Sequence, residues 1–218
     1  MAEYKRARTN EQKEERMSQI KQAADSLFKS MPYTDISLST IAEKLDWSRA
    51  NLYKYVTTKE EIYLEIVQNL MTEYYNSLLT VFPAESRLSP ETVAEIWTAQ
   101  VASHEDYFRY ASILLTIIER NVTVERLTVF KKTYYTLAEQ LKKRLANCLN
   151  ISEENAYNLS LSVLNYATSY FSNCLDNPLV SQALKNLNIE APKRDLHADV
   201  KDFILMNIYW ILKKKENN

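Results

Sequence analysis

The chain has 218 residues, 46% of them hydrophobic, with two cysteines, a formal net charge of −1 and no glycine. That length suits one large domain or a small one joined to a medium one. The missing glycine excludes the dinucleotide-binding fingerprint, the P-loop and the Gly-x-Ser-x-Gly elbow of hydrolases.

No apolar run is long enough to span a bilayer and no signal peptide is evident, so a cytoplasmic protein without a membrane partner is expected. In that compartment Cys148 and Cys174 are expected to be reduced core residues. Residues 1–60 hold 11 Lys+Arg against 9 Asp+Glu, a net +2 that leaves −3 on the rest. So weak an asymmetry makes the position of charge, not its amount, the argument for or against nucleic acid.

Regular strand alternation is absent, and the pattern reads as all-α. Residues 1–10, with Lys5, Arg6 and Arg8, form a basic arm. The first helix is expected over about 11–29, where Ile20, Ala23, Ala24, Leu27, Phe28 and Met31 make one apolar stripe closed by Pro32. Ser37 is an N-cap for the second helix, whose Leu38, Ile41, Ala42 and Leu45 repeat the spacing. Asp46 occupies a tight turn, since Asp tolerates a left-handed backbone. Ser48 caps the third helix, with Trp47, Leu52 and Val56 available to the core. Thr58 caps a fourth helix running to about Val81. Further helices are expected over about 90–103, 104–118, 123–149, 152–175 and 196–215. With no glycine to stop them, Asn150, Asn177 and Asn188 are candidate left-handed caps.

Two short amphipathic helices with a tight turn between them are the layout of a helix-turn-helix, which lays its second helix in the major groove of DNA. With Leu52 and Val56 pointing inward by spacing, Arg49, Ala50, Asn51, Tyr53, Lys54 and Tyr55 are left for the outer surface or its margins. Arg49 suits a guanine and Asn51 an adenine, each by a bidentate bond. Tyr53, Tyr55 and Lys59 suit phosphates, together with the backbone donors that open the fourth helix.

Ala23, Ala24, Leu27, Phe28, Ser37, Leu38, Ile41, Ala42, Ser48, Leu52, Tyr53, Tyr55, Val56, Lys59 and Glu60 together resemble the DNA-binding domain of the TetR family of transcriptional regulators, over roughly residues 12–70. Asp46 and Ala50 stand where that family often has glycine, and Trp47 where it has a smaller apolar residue. The resemblance implies that Ser39, Thr40, Arg49, Asn51, Tyr53, Tyr55 and Lys59 lie at double-stranded DNA, an inverted-repeat operator; Ser48 and Lys54 are added from their place on the third helix. It implies a DNA-binding domain over 1–59 and a helical effector-binding and dimerisation domain over 60–218. The fourth helix is expected to join them. The last two long helices are implied to form a four-helix homodimer interface, and residues 159–175 and 203–212 are apolar on more than one face, as a helix buried against a partner would be. The segment around IIERNV at 117–122 looks like a C-terminal subtype of these regulators.

The body is rich in tyrosine, whose apolar ring and hydrogen-bonding tip suit a pocket for an unidentified small-molecule effector. Trp97, Tyr107, Phe108, Tyr134, Tyr166 and Tyr170 are the candidates, with a tyrosine-rich core as the alternative. His104 and His197 have no companions at metal-ligand spacing, so neither metal nor cofactor is expected. The adjacent pairs Glu60, Glu61 and Glu153, Glu154 face different directions on a helix and make poor catalytic dyads. The expectation is therefore a ligand-responsive regulator, most simply a repressor, and not an enzyme; the alternative is a helical dimeric interaction protein whose hairpin does not read DNA.

Overall fold

A computed structural model describes residues 10–172, 178–190 and 193–216. The basic arm with Lys5, Arg6 and Arg8, together with Cys174 and Asn177, lies outside the described residues. Ten α-helices are described: α1 (Asn10–Phe28), α2 (Leu38–Lys44), α3 (Arg49–Leu52), α4 (Lys59–Val81), α5 (Pro90–Ser103), α6 (Glu105–Ile113), α7 (Val124–Leu149), α8 (Glu153–Ser172), α9 (Pro178–Asn186) and α10 (Leu196–Glu216). Among the described residues there is no strand, and no helix is long and apolar enough to cross a membrane. The chain divides into two compact units, one of residues up to Asn69 with Leu114–Phe130, the other of Leu70–Ile113 with Lys131 onward.

Without glycine, three helices end on Asp or Asn in the left-handed region: Asp46 at φ 54°, Asn150 at 54° and Asn188 at 53°. Each end is a Schellman turn. After α2, Asp46 N donates to Glu43 O at 3.0 Å and Trp47 N to Ala42 O at 2.8 Å. After α7, Ile151 N donates to Ala146 O at 3.1 Å, and after α9, Ile189 N to Leu184 O at 3.0 Å. Each left-handed residue is followed by a large apolar one, Trp47, Ile151 or Ile189, as this motif favours.

The unit that holds the N-terminal helices is built on the stripe of α1. Ile20, Ala23, Ala24 and Leu27 are buried, as are Ile41, Ala42, Leu52, Val56, Ile62 and Tyr63 of the same unit. Tyr63 Oη donates to the Ala24 carbonyl at 2.9 Å, and its ring meets Phe28 and Tyr33 at 5.9 and 5.1 Å. Tyr33 opens a 3₁₀ turn, Tyr33–Asp35, that the apolar spacing did not announce.

In the other unit α10 packs on α5 and α8, and α6 packs on α8. Its core is aromatic: Tyr74 contacts Tyr107, Phe108 and His104 at 5.3, 5.0 and 5.6 Å, and Trp97 Nε1 donates to Tyr74 Oη at 2.9 Å. Cys148 is buried and free, its thiol 3.3 Å from the Pro83 carbonyl.

Two expectations are corrected. The helix expected over 104–118 closes as a π turn at Leu114–Ile118, with Glu119 N bonded to Leu114 O, five residues back, at 2.9 Å. And α9 forms where no helix was expected; Pro178 opens it, a residue suited to the first helical position.

Candidate nucleic-acid interface

The geometry begins at two caps. Ser37 Oγ accepts from Thr40 N at 3.2 Å while Thr40 Oγ1 accepts from Ser37 N at 3.0 Å, a reciprocal capping box that starts α2. Ser48 Oγ accepts from Asn51 N at 3.2 Å and starts α3. Between them the Schellman turn at Asp46 sets the angle of the helix pair. Trp47 closes the corner: the Arg16 guanidinium lies 5.2 Å from its ring centre and the Tyr55 ring 5.9 Å away.

Leu52 and Val56 are buried at 0% and 2% exposure, as their spacing requires. Arg49, Ala50, Tyr53 and Lys54 are exposed, Tyr53 at 56%. Ser48 is also exposed, while Ser39, Thr40, Tyr55 and Lys59 are half-buried. The structure therefore gathers the side chains of Ser48, Arg49, Tyr53 and Lys54 at the surface of one short segment.

Asn51 departs from its expected place. It is only 5% exposed, and its Oδ1 has no hydrogen-bond partner. The 3.6-residue period puts Asn51 and Tyr55 at the margin of the inward Leu52 and Val56 face, and Asn51 falls on its buried side.

Lys59 also has an unforeseen role. Its Nζ donates to the carbonyls of Tyr33 at 2.8 Å and Ile36 at 2.6 Å, and lies 4.1 Å from the Tyr33 ring centre. Burial holds its pKa below the usual lysine value, with Glu60 and Asp35 opposing. Tyr33 Oη donates in turn to Glu60 Oε1 at 2.9 Å. Lysine, tyrosine and glutamate thus clamp the 3₁₀ turn to the start of α4, and nothing in the apolar spacing announces a partner 26 residues away.

The effector candidates are linked by ring contacts that run through Tyr74, Tyr75 and Phe171. Trp97, Tyr107 and Phe108 are 0–2% exposed around Tyr74, and Phe171 stacks on Phe108 at 5.7 Å. Thr98, beside Trp97, is fully buried with a hydroxyl that has no partner. Tyr134 is half-buried and meets Tyr75 at 6.0 Å. Tyr166 stacks on Phe203 at 4.0 Å, and Tyr170 donates to Asp199 Oδ2 at 3.2 Å beneath the Arg194 guanidinium, 3.5 Å from its ring centre. Sequence reasoning missed Tyr74, Tyr75 and Phe171 as members of this aromatic core. Among the described residues no group of three or more His, Cys, Asp or Glu is placed to hold a metal ion.

A family profile described as "Tetracyclin repressor-like, C-terminal domain" matches residues 68–209, well over half of the chain. No curated protein sequence matches it. Among solved structures, a transcriptional regulator of the TetR/AcrR family from Thermobifida fusca YX-ER1 superposes with a TM-score of 0.59 at 16% identity, covering 89% of this chain and 97% of the other. The fatty acid degradation regulator FadR from Bacillus halodurans gives 0.57 at 15%, covering 88% and 94%. At those identities the likeness is one of fold.

Proposed function

The chain belongs to the TetR family of transcriptional regulators, and from that premise we propose that it is a homodimeric, sequence-specific DNA-binding protein, a repressor released from an inverted-repeat operator by a small-molecule effector. The observation that carries this reading is the helix pair α2–α3. Its caps and left-handed turn are fully formed, its apolar side chains are inward, and Arg49, Tyr53 and Lys54 are outward. In the proposed complex Arg49 reads a guanine edge, and Tyr53, Lys54, Tyr55, Ser39, Thr40 and Ser48 bind or frame phosphates. Asn51 supports α3 from within. Lys59 acts first on the 33–36 turn, and the α4 N-terminus behind it offers backbone donors to phosphate. The proposed place of work is the cytoplasm, and the proposed activity is binding, not catalysis.

In this reading residues 1–59 bind DNA and 60–218 bind effector and partner subunit. The effector displaces part of the aromatic core around Trp97, Tyr107 and Phe108, where the unpartnered Thr98 hydroxyl is a ready hydrogen-bonding group, with Tyr134, Tyr166 and Tyr170 as further contacts. It acts by shifting the population away from the DNA-competent state. Dimerisation runs through α8 and α10.

The burial of Asn51 and the bonding of Lys59 to the Tyr33 and Ile36 carbonyls favour a second reading, a helical dimer whose hairpin binds DNA without reading sequence. Arg49→Ala separates the two. A sequence reader loses about 1–3 kcal/mol of discrimination at one operator position, measured by competition against single-base variants. Equal retention of operator and random DNA by the unmutated protein would leave only the second reading.

A further inference from the structure

One buried carboxylate lies outside the expected DNA-reading set. Glu61, in the first turn of α4, is 3% exposed. Its Oε2 accepts from Thr57 N at 2.9 Å, on the turn that closes the recognition segment. Its Oε1 lies 3.4 Å from Arg126 Nε, and Arg126 Nη1 donates to Glu65 Oε1 at 2.8 Å. Arg126 stands in the first turn of α7, where the helix dipole disfavours a cation; the two carboxylates of α4 offset that cost. The same segment grips the turn a second time, for Thr58 Oγ1 donates to the Asn121 carbonyl at 3.2 Å. Asn121 is itself tied to the π turn, its Nδ2 donating to Ile117 O at 2.8 Å. Residues 121–126 therefore hold Thr57 and Thr58, and all these groups lie in one compact unit.

We propose that Arg126, more than 60 residues from the helix-turn-helix in sequence, is a positioning residue for DNA reading. By neutralising buried Glu61 it keeps the Thr57 amide bonded and so fixes the turn from which Tyr53, Lys54 and Tyr55 are presented. Remove the guanidinium and Glu61 becomes a buried charge without its counter-ion; the carboxylate then turns out to water and releases Thr57. This rests on the DNA-binding reading above, but it has a signature independent of DNA.

The test compares the full-length protein with Arg126→Met and with Arg126→Met/Glu61→Gln, in which a neutral amide still accepts from Thr57 without needing a cation. Amide exchange at Thr57 and binding to the duplex recovered by selection from random DNA are both measured, the latter across salt concentrations. Arg126→Met is expected to speed exchange at Thr57 and weaken operator binding roughly tenfold, the scale of coupling between contacting groups. The salt slope stays unchanged, and the double variant recovers both readings. Unchanged exchange and affinity in Arg126→Met would overturn the proposal. So would a loss of affinity in which the salt slope falls by roughly one phosphate contact and the double variant does not recover, since Arg126 would then touch DNA itself. If the unmutated protein recovers no operator, the DNA reading fails and exchange at Thr57 alone decides the proposal. Should Arg126→Met not fold, Arg126→Lys, able to serve only one carboxylate, replaces it with the same expected directions.

Discussion

Asp46, Asn150 and Asn188 show what a glycine-free chain does at its helix ends. A left-handed backbone costs an ordinary L-residue roughly 1–2 kcal/mol, and Asp and Asn are the side chains that bear it best. Asn150→Gly should therefore stabilise the protein or leave it unchanged, by up to about 1 kcal/mol, and Asn150→Ala should destabilise it by a similar amount; urea denaturation measures both. These positions were legible because a short polar residue ahead of a large apolar one marks such a stop even without glycine. Lys59 was legible as a site candidate, but its bonds to the 33–36 turn were not. Its two carbonyl partners belong to a turn that only the folded chain brings near. Lys59→Ala is accordingly expected to lower thermal stability by about 1–3 kcal/mol, the worth of charge-assisted bonds, and to weaken operator binding even where the salt slope barely changes. A normal melting temperature with a reduced salt slope would return Lys59 to a plain phosphate contact.

At the scale of elements, periodicity located the long helices because each buries a continuous stripe. It failed where tertiary contacts decide. Asn51, at the margin of the inward face of α3, turns out buried, and a stripe alone does not distinguish the π turn of Leu114–Ile118 from another α turn. The aromatic core of α4, α5 and α6 carries two checkable consequences. Tyr74 Oη is the partner of the buried Trp97 Nε1–H, so Tyr74→Phe should cost about 1–3 kcal/mol for the donor left unsatisfied. Burial also raises the pKa values of Tyr75 and Tyr107 well above the ordinary tyrosine value, and raises that of Tyr74 although the bond from Trp97 opposes it. The unfolded chain ionises these phenols near their ordinary value, about 10, while the folded chain keeps them protonated. Their stabilising contribution is therefore complete below that pH and declines as pH rises through and beyond it. Denaturation midpoints that hold steady well above pH 10 would contradict this.

At the scale of the whole molecule, α10 has two faces. Val200, Ile204 and Ile208 are buried at four-residue spacing, while Met206, Tyr209 and Trp210 are 63%, 49% and 61% exposed. Large apolar side chains on an exposed helix face are the mark of an interaction surface, and the proposed occupant is a second copy of the chain. Met206→Glu with Trp210→Glu should yield a folded monomer by sedimentation, and DNA binding should weaken with it because two linked heads bind far more tightly than one. The apolar character of residues 203–212 was visible in the sequence. That Leu114–Phe130 groups with the N-terminal helices was not, because grouping depends on contacts between distant residues that leave no periodic trace.

The central question is whether the proposed dimer reads sequence. The most direct measurement is to incubate the full-length protein with random duplex DNA at near-physiological salt and sequence what it retains. Enrichment of an inverted repeat, with half-sites about one helical turn (on the order of 34–36 Å) apart or a little more, is the predicted result. Retention of DNA without any enriched sequence, from protein shown to be folded and dimeric, would contradict it.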